Sequence, residues 1–414
     1  ALDFYMKAAR DSTDARLAER ATQIALYAKQ ADRALEAASL WLQRDPVNTA
    51  ARKISTMLLL KSSRQNEALA QLDQLLLQDE GDAENTLVDL VRMIGQELSK
   101  EDAARLMAQL VERFPQRADM HYAYALLAME QGEMALARGE VVKALQLYPD
   151  WGRARILQAQ LTAQAGDSAT ARAILEQALK LDQGNTHLRL VLAEQLVREG
   201  NHKAAERQFR RILHQEPDHE DATFGLAMTL LQSRQENAAR KVLLRLTEGS
   251  RWSAQAAYYL GLLASRRKHY EDALGWFERV NNGALALEAQ VNAVSPLLAL
   301  GRNAEAIDKL RQLRKRFPKD ALRFYLMEGE LLTRENDFLG AFEMLSEALQ
   351  EMPGTQELLY ARALVAERLD RLDVLEQDLN EILGQNPDDA NALNALGYSL
   401  ADKTNRYSEA LRLL

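Results

Sequence analysis

Prolines, and one glutamine in an equivalent place, recur along this chain at a nearly constant interval. They are Pro115, Pro149, Gln183 and Pro217 in one series, and Pro318, Pro353 and Pro387 in a second. The separations are 34, 34 and 34 residues in the first series, and 35 and 34 in the second. Because proline cannot continue the interior of a helix, it marks the junction between successive structural units. The interval therefore predicts a chain built from repeats of about 34 residues.

The unit from Thr186 to His219 shows the internal pattern of the repeat and defines repeat positions 1 to 34. Apolar residues follow a helical period on both sides of a turn at Gly200, which indicates two amphipathic helices. Small residues at positions 8, 20 and 27 let the helices approach, and larger residues at positions 7, 11 and 24 fill the space between them. In the unit from Ala254, positions 8 and 24 are Gly261 and Phe277. Such a pair of helices cannot bury its apolar faces alone and needs neighbouring units.

A 34-residue unit with two amphipathic helices is typical of a tetratricopeptide-repeat (TPR) solenoid. We therefore predict an all-α, right-handed superhelix of about eleven helix-turn-helix repeats over residues 15–389, with boundaries near 48, 82, 117, 151, 185, 219, 253, 286, 321 and 355. Residues 1–14 match the second helix of a truncated repeat, and residues 390–414 match a truncated C-terminal repeat. Because solenoids normally end in a capping element, we expect the sequence to be a piece of a longer chain.

Composition favours helix and limits the classes of partner. Aromatic residues make up only 6% of the chain, and Ala, Leu, Gln, Glu and Arg dominate, so we expect essentially no sheet. The formal charge of -8 argues against a nucleic-acid partner, which would require a positive face. No apolar run is long enough to span a membrane. There is no cysteine, which excludes disulfides and thiolate metal ligands.

No sequence motif indicates catalysis or cofactor binding: the chain contains no phosphate-binding loop, nucleophile elbow, HExxH or acidic calcium loop. We therefore expect no enzymatic activity, no cofactor and no metal. The strongest metal-site candidate is a cluster of histidines and acids around Pro217, which comprises His214, Glu216, Asp218, His219, Glu220 and Asp221. Acidic residues that follow such a proline also cap the next helix, and we favour that interpretation.

Two further features are a proline inside a helix and a local basic cluster. Pro296 falls at repeat position 10, inside a first helix, and predicts a kink or split there. The split would either change the curvature near residues 280–300 or be absorbed by packing. The second feature is a basic cluster at the end of a second helix, which we interpret as a solvated outer face. Its members are Arg311, Arg314, Lys315, Arg316 and Lys319.

The first helices of such repeats line the inner, concave surface of the stack, so that surface is the expected binding site. Repeat positions 2, 5, 9, 12 and 13 point inward in this family. Aromatic, Met and Arg side chains there suit an extended peptide or a partner helix. The alternative is that the aromatic and Met side chains pack between neighbouring first helices. The candidate partner-binding residues are Tyr122, Met129, His187, Arg198, Phe224, Met228, Tyr258 and Arg266.

Two stretches near the start of the sequence resemble a particular group of TPR proteins. They are FYMKAARDSTDARLAERATQIALYAKQ, from Phe4 to Gln30, and AASLWLQRDPVN, from Ala37 to Asn48. Both are similar to the N-terminal region of pseudomonad outer-membrane lipoproteins that act as adaptors for a periplasmic carboxyl-terminal processing protease. The resemblance implies a scaffold that tethers and activates this serine protease. It also implies that the scaffold presents cell-wall hydrolases, which cut peptidoglycan cross-links, for degradation.

The same resemblance implies a periplasmic location, with a lipid anchor as the connection to the outer membrane. The lipoprotein signal and its acylated cysteine are not in this sequence. One alternative function is a scaffold for envelope assembly or polysaccharide export, with no protease partner. Another is a glycosyltransferase accessory, or an enzyme whose catalytic domain would follow Leu414.

Overall fold

The computed structural model describes residues 1–78 and 91–413. These residues form twenty-five α-helices, two short 3-10 helices and a further helical segment over 91–97, and the described parts contain no strand. The predicted all-α TPR fold is therefore confirmed. The chain divides into two compact units, Ala1–Ile212 and Leu213–Leu414, and each is described by itself. No helix in the described ranges is both long and apolar enough to cross a membrane.

Within residues 1–78 and 91–212, the first unit consists of helices joined by short turns; apart from the helical segment over 91–97, these helices are 10 to 14 residues long. Each helix packs mainly against helices that are adjacent or next but one in the chain. Residues 202–212 of the last helix belong to this unit. The helices are Leu2–Asp11, Ala15–Tyr27, Ala31–Arg44, Thr49–Lys61, Gln65–Gln78, Lys100–Arg113, Ala118–Gln131, Met134–Leu147, Gly152–Gln164, Ser168–Leu181, Thr186–Arg198 and His202–Gln215.

The second unit has the same alternation but contains shorter helices in its middle. Two 3-10 helices, Leu244–Leu246 and Pro318–Asp320, adjoin α-helices. The α-helices are Glu220–Gln232, Glu236–Leu243, Ser253–Arg266, Tyr270–Glu278, Ala286–Asn292, Val294–Ala299, Asn303–Arg316, Ala321–Arg334, Phe338–Glu351, Gln356–Arg368, Leu372–Gln385, Ala390–Lys403 and Tyr407–Leu413. The exact division of both units into eleven repeats stays a prediction, and the first helix expected near residue 83 begins outside the described residues.

The core lies between the two helices of each pair, where small and large residues face each other. Gly261 and Phe277 are both buried, and a Cβ atom added to Gly261 would lie 2.6 Å from Cε1 of that ring. Ala193 and Ala205, at repeat positions 8 and 20, are likewise fully buried. Close approach of the helices therefore requires the small residues that the repeat pattern predicted.

A left-handed backbone conformation recurs at repeat position 15, between the two helices of a pair. After Gly200, for example, the amide of Asn201 donates to the carbonyl of Leu196 at 2.8 Å, which closes the end of the first helix. Glycine accepts this conformation without strain, but several of these residues are not glycine. The residues with positive φ at this position are Lys29, Ser63, Gly132, Gly166, Gly200, Arg234, Lys268, Gly301, Asn336 and Asp370.

The helix split predicted at Pro296 is present. The first helix of this repeat is divided into Ala286–Asn292 and Val294–Ala299, with Ala293 between them. Because Pro296 has no backbone N–H, the bond that would continue the helix to the carbonyl of Asn292 cannot form. Pro296 itself is buried, so the break is part of the packed structure. Its effect on curvature stays a prediction.

Candidate partner-binding surface

The predicted partner-binding residues of the first unit lie on two first helices. Tyr122 and Met129, on Ala118–Gln131, are half-buried, and the Tyr122 ring lies 4.7 Å from that of Trp151 between centroids. His187 and Arg198 lie at opposite ends of Thr186–Arg198 and are exposed. The aromatic residue is therefore partly used in packing, whereas the two basic residues are open to solvent.

In the second unit, Phe224 forms a stacked pair with Trp252. The ring centroids are 4.2 Å apart and the ring planes differ by 3°. The Trp252 indole Nε1–H donates to Asp221 at 2.9 Å, which fixes the orientation of the stack. Both rings are half-buried, so the pair packs between repeats and still presents apolar surface.

Tyr258 and Met228 also combine packing with partial exposure. The Tyr258 ring lies 5.4 Å from Tyr259 and 6.3 Å from Phe277 between centroids. Burial, and then the nearby Glu288 carboxylate, raise the pKa of Tyr258. Met228 packs against the buried cluster that contains Leu260. The packing role that we considered as the alternative is therefore real for these residues, and it leaves half-exposed surface on the first helices.

The two predicted arginines are exposed and differ in the burial of their contacts. Arg198 donates from Nη2 to Oε1 of Gln195 at 2.9 Å, within its own helix. Arg266 donates to Glu236 at 3.3 Å, and the Arg266 side chain is 69% exposed. Because the Arg266 contact is exposed, exchanging it for a contact with a partner has a low energetic cost, whereas the Gln195 acceptor of Arg198 is buried.

Two cavities mark where a first-helix surface is concave. In the first unit, His187 and Ile156 line a cavity of about 410 Å³ together with Arg153. In the second unit, a groove of about 380 Å³ lies between the first helices Ala321–Arg334 and Gln356–Arg368. The residues that line this groove are Leu326, Gly329, Glu330, Thr333, Arg334, Leu345, Ala361, Leu364, Val365, Glu367 and Arg368.

The groove in the second unit was missed at the sequence level. Leu326 and Leu364 occupy repeat positions 5 and 9, which are among the inward-pointing positions used to select the other candidates. Leu364 is 41% exposed, so its apolar side chain is accessible in the groove. A leucine at an inward-pointing position was therefore a signal that could have located the groove.

The cluster around Pro217 is arranged as a helix start. His219 is the N-cap of Glu220–Gln232, and its Nδ1 accepts from the amide of Ala222 at 3.3 Å. The expectation that an acidic residue provides the cap was wrong, because His219 occupies the N-cap position, but Glu220 and Asp221 lie in the first turn, where they suit the positive end of the helix. The described residues contain no group of three or more His, Cys, Asp or Glu that could hold a metal ion.

The interpretation of the basic cluster as a solvated face without a partner is wrong for two of its members, although the Arg311 side chain is 50% exposed. Arg311 and Arg314 both bind the carboxylate of Glu328, at 2.7 and 2.9 Å, and this carboxylate is completely buried. The Arg314 guanidinium also lies 3.9 Å from the ring centroid of Tyr325. Burial, and then a hydrogen bond to Glu351, raise the pKa of Tyr325 to about 12. These cations join one repeat to the next.

A second polar pattern was also missed at the sequence level. Side chains that are 19 residues apart, at repeat positions 4 and 23, form hydrogen bonds between the two helices of a pair. Where position 4 is arginine, the side chain also donates to the backbone carbonyl at position 32 of the preceding repeat, as Arg155 does to Pro149 at 3.1 Å, whereas Gln290 donates to the carbonyls of Phe277 and Val280. The pairs at positions 4 and 23 are Arg52–Gln71, His121–Glu140, Arg189–Gln208 and Gln290–Lys309.

Comparison with known proteins establishes the family. A model described as tetratricopeptide repeat matches residues 163–212 and 196–265, and a second model with the same description matches residues 99–152 and 294–355. The matched segments together cover more than half of the chain. The chain therefore belongs to the tetratricopeptide-repeat family, whose members generally act as protein–protein interaction scaffolds.

A relative with similar sequence is the TPR repeat-containing protein PA4667 of Pseudomonas aeruginosa. It is 38% identical over 159 residues, which correspond to 38% of this chain and 27% of the relative. The match thus spans about a quarter of that protein's length.

Among solved structures, the chain is similar to yeast Tom70, with 13% identity, a TM-score of 0.43, and coverage of 97% of this chain and 95% of that one. It is also similar to YrrB, described as a TPR protein with an unusual peptide-binding site, with 21% identity, a TM-score of 0.37, and coverage of 48% and 99%. The pilF protein of Pseudomonas aeruginosa gives 19% identity, a TM-score of 0.41, and coverage of 48% and 91%.

Proposed function

We propose that this chain is a non-enzymatic adaptor that binds and activates a periplasmic carboxyl-terminal processing serine protease. In this proposal it delivers hydrolases of peptidoglycan cross-links to the protease, and a lipid anchor holds the full-length protein at the outer membrane. Two kinds of observation support the proposal. The first is the sequence resemblance of Phe4 to Gln30 and Ala37 to Asn48 to such adaptors, together with the Pseudomonas relative. The second is the chemistry of the first-helix surface.

The observation that carries the binding function is the half-exposed aromatic surface on the first helices of the second unit. Phe224 and Trp252 form a rigid apolar platform, and Arg251 and Asp221 form an ion pair beside it. Rigid aromatic surfaces with a polar edge are typical anchors of protein interfaces, because they bury a large area and lose little conformational entropy. A partner side chain placed on the stack would find apolar contact and charge together.

The groove between Ala321–Arg334 and Gln356–Arg368 offers a different kind of contact. Leu326 and Leu364 give it an apolar lining, and Arg334 and Arg368 are also among its lining residues. Its volume of about 380 Å³ is enough for a large apolar side chain. A partner that binds both the platform and the groove would gain affinity through effective concentration, without needing one very strong contact.

A reconstituted degradation assay tests the proposal. Purified protease and a peptidoglycan hydrolase are incubated with and without this chain, and loss of the hydrolase is followed over time. We expect the chain to accelerate this loss strongly. The variant F224A/M228A/Y258A should reduce the acceleration about tenfold or more, because it removes several apolar anchors of about 1 kcal/mol or more each.

The matched control removes apolar side chains of similar size from second helices and the turns after them. Tyr148, Leu181 and Leu339 are 54%, 63% and 50% exposed, and the variant Y148A/L181A/L339A should leave the acceleration within about twofold. If the chain has no effect on proteolysis and forms no complex with the protease, the adaptor proposal fails. A scaffold for envelope assembly or polysaccharide export, with no protease partner, then becomes the better account.

A further inference from the structure

A cavity of about 320 Å³ lies on the second-helix side of the first unit and is separate from the candidate partner-binding surface. It opens between the second helices Ser168–Leu181 and His202–Gln215, and Leu179 and Leu192 form its apolar part. We call it the Arg189 cavity, and its lining residues are Glu176, Leu179, Lys180, Gln183, Arg189, Leu192, Gln208 and Arg211. All of them belong to the unit Ala1–Ile212.

Arg189 is the buried cation of this cavity. Only 6% of the residue is exposed, although it carries a full positive charge. Its Nη1 donates to Oε1 of Gln208 at 3.2 Å, and its Nη2 donates to the carbonyl of Gln183. The Nε–H has no hydrogen-bond partner. Because both partners are neutral, the charge of Arg189 is not compensated, and a buried donor remains free.

Two more cations line the same cavity. Lys180 and Arg211 are exposed, and neither forms an ion pair within the described part of the chain. Burial, and then the positive charge of Arg211, lower the pKa of Arg189. The one carboxylate in the lining, Glu176, lies 3.8 Å from Arg172, which is outside the cavity. The cavity therefore contains more positive than negative charge, although the whole chain is acidic.

Equivalent arginines in other repeats show that the neighbouring cations Lys180 and Arg211 are not part of the repeat pattern. Arg52 occupies the same repeat position as Arg189, binds Gln71 and the carbonyl of Pro46, and also has a free Nε. The residues equivalent to Lys180 and Arg211 are Gln43 and Gln74 in that repeat. Around Arg155, a third equivalent arginine, they are Gln146 and Gln177. The buried arginine with a free Nε–H thus also occurs at Arg52, whereas among these three repeats the two cationic neighbours are particular to the Arg189 cavity.

We propose that the Arg189 cavity binds a carboxylate of a partner protein. The planar guanidinium suits a planar carboxylate, and Lys180 and Arg211 at its sides can add charge-assisted hydrogen bonds. Glu176 offsets part of the positive charge, which favours a singly charged group over a dianion. Such a site would give the chain a second contact point for a protein partner, independent of the first-helix surface.

The test uses the whole chain and three short peptides, each labelled with an uncharged fluorophore. One peptide has an amidated end and a single Glu, the second is amidated with Gln in its place, and the third carries Gln and a free carboxyl terminus. Binding is measured by fluorescence anisotropy at fixed ionic strength. We expect the Glu peptide, the peptide with the free terminus, or both to bind about tenfold more tightly than the neutral peptide. Which of the two binds identifies the source of the carboxylate.

Variants separate a specific site from general surface charge. K180Q/R211Q should weaken binding of the carboxylate peptide about tenfold, because it removes two charge-assisted contacts and leaves the buried core intact. K203Q/R207Q removes the same charge from exposed positions on His202–Gln215 that do not line the cavity, and should change binding less than about twofold. Both double variants avoid Arg189, whose loss could disturb folding.

Two results would overturn the proposal. The first is equal binding of all three peptides, which would show that the cavity does not distinguish a carboxylate. The second is equal loss of affinity in the two double variants, which would show that only the surface charge matters. Failure here would leave the degradation assay unaffected, since the two tests use different faces of the chain.

Discussion

The distance between the two helices of a repeat depends on single side chains. At Gly261 the chain has no space for one additional carbon atom, because the facing Phe277 ring is fully buried and cannot move into solvent. Gly275, on the second helix of the same pair, is different: a Cβ atom added there would meet nothing within 4 Å. The two glycines therefore have different roles, although both lie inside helices.

These contacts predict opposite effects of the same substitution. Gly261→Ala should lower stability by about 1–3 kcal/mol, because the methyl group overpacks the core against Phe277. Gly275→Ala should raise stability by about 0.5–1 kcal/mol, because alanine loses less backbone entropy in a helix. Urea unfolding followed by circular dichroism measures both changes. Equal midpoints for Gly261→Ala and the parent protein would show that the helices can move apart at no cost.

Buried carboxylates are the second feature that acts through single residues. Asp378 is completely buried and accepts two hydrogen bonds from Arg362, from Nε at 2.9 Å and from Nη2 at 2.6 Å. The same pair raises the pKa of the Arg362 guanidinium. Glu376 lies on the same helix and accepts from Arg406 at 2.6 Å, but this pair is partly exposed, with 27% of the Glu376 and 44% of the Arg406 side chain accessible. The two ion pairs have the same length and differ in burial.

We predict that burial, not distance, decides the contribution of these pairs. Asp378→Ala should cost about 3–5 kcal/mol, because Arg362 then remains mostly buried without a counter-charge. Glu376→Ala should cost less than about 1 kcal/mol, because water screens the exposed pair. The double variant R362M/D378L should recover most of the loss, since it removes both charges. Similar unfolding midpoints for the two alanine variants would contradict this account.

At the scale of the helix, the turn at repeat position 15 imposes a left-handed backbone whatever residue is present. In one repeat the position is Gly200, with φ +73°, and in another it is Lys268, with φ +61°. A residue with a side chain pays about 1–2 kcal/mol in this conformation. The turn is therefore strained in some repeats and relaxed in others.

The strain predicts that a Lys→Gly change has opposite signs at two sites of the second unit. Lys268→Gly should stabilise the protein by about 0.5–1 kcal/mol, because glycine accepts the left-handed backbone. Lys241→Gly, in the helix Glu236–Leu243, should destabilise it by about 1 kcal/mol, because glycine is a poor helix former. Both lysines are exposed, so lost packing does not complicate the comparison. Loss of stability in both variants would show that Lys268 is not strained.

The helix pairs could be predicted from the sequence because the repeat encodes them locally. Packing dictates the residue types at Gly261 and Phe277. Backbone conformation dictates the glycine at the Gly200 turn. The left-handed backbone of Lys268 could not be predicted from its residue type. The chain reversal imposes this conformation, and lysine gives no signal of it. The split at Pro296 was predictable because proline removes a backbone donor in any surroundings.

The polar contacts of the sites were harder to predict because their partners are distant in the sequence. In the sequence, Arg311 and Arg314 have the pattern of solvated cations near the end of a helix. Only the packing of the next repeat brings Glu328 to them. Arg189 and Gln208 are 19 residues apart, a spacing that recurs in other repeats and that could have been found by aligning repeat position 4 with position 23. Partner binding by the eight predicted residues stays a prediction.

At the scale of the whole molecule, stability is built from contacts between neighbours. Within each unit, the principal contacts join helices that are adjacent or next but one in the chain. The buried apolar residues accordingly form successive clusters along the sequence: one includes Leu345 and Leu379, and another includes Ala125 and Leu157. In such an array, the loss of one interface weakens its immediate neighbours first.

This organisation predicts that the effect of Asp378→Ala is local. Hydrogen exchange in the helices Gln356–Arg368 and Leu372–Gln385 should accelerate about tenfold or more, because the ion pair that joins them is lost. Exchange in Ala118–Gln131 and Met134–Leu147, which belong to the other unit, should change by less than about twofold, because the loss of one interface in a repeat array weakens its immediate neighbours first. Mass spectrometry of peptides from the exchanged protein measures both regions in one sample. A uniform acceleration would mean that the chain opens as one cooperative body, in which case the neighbour contacts alone do not determine its stability.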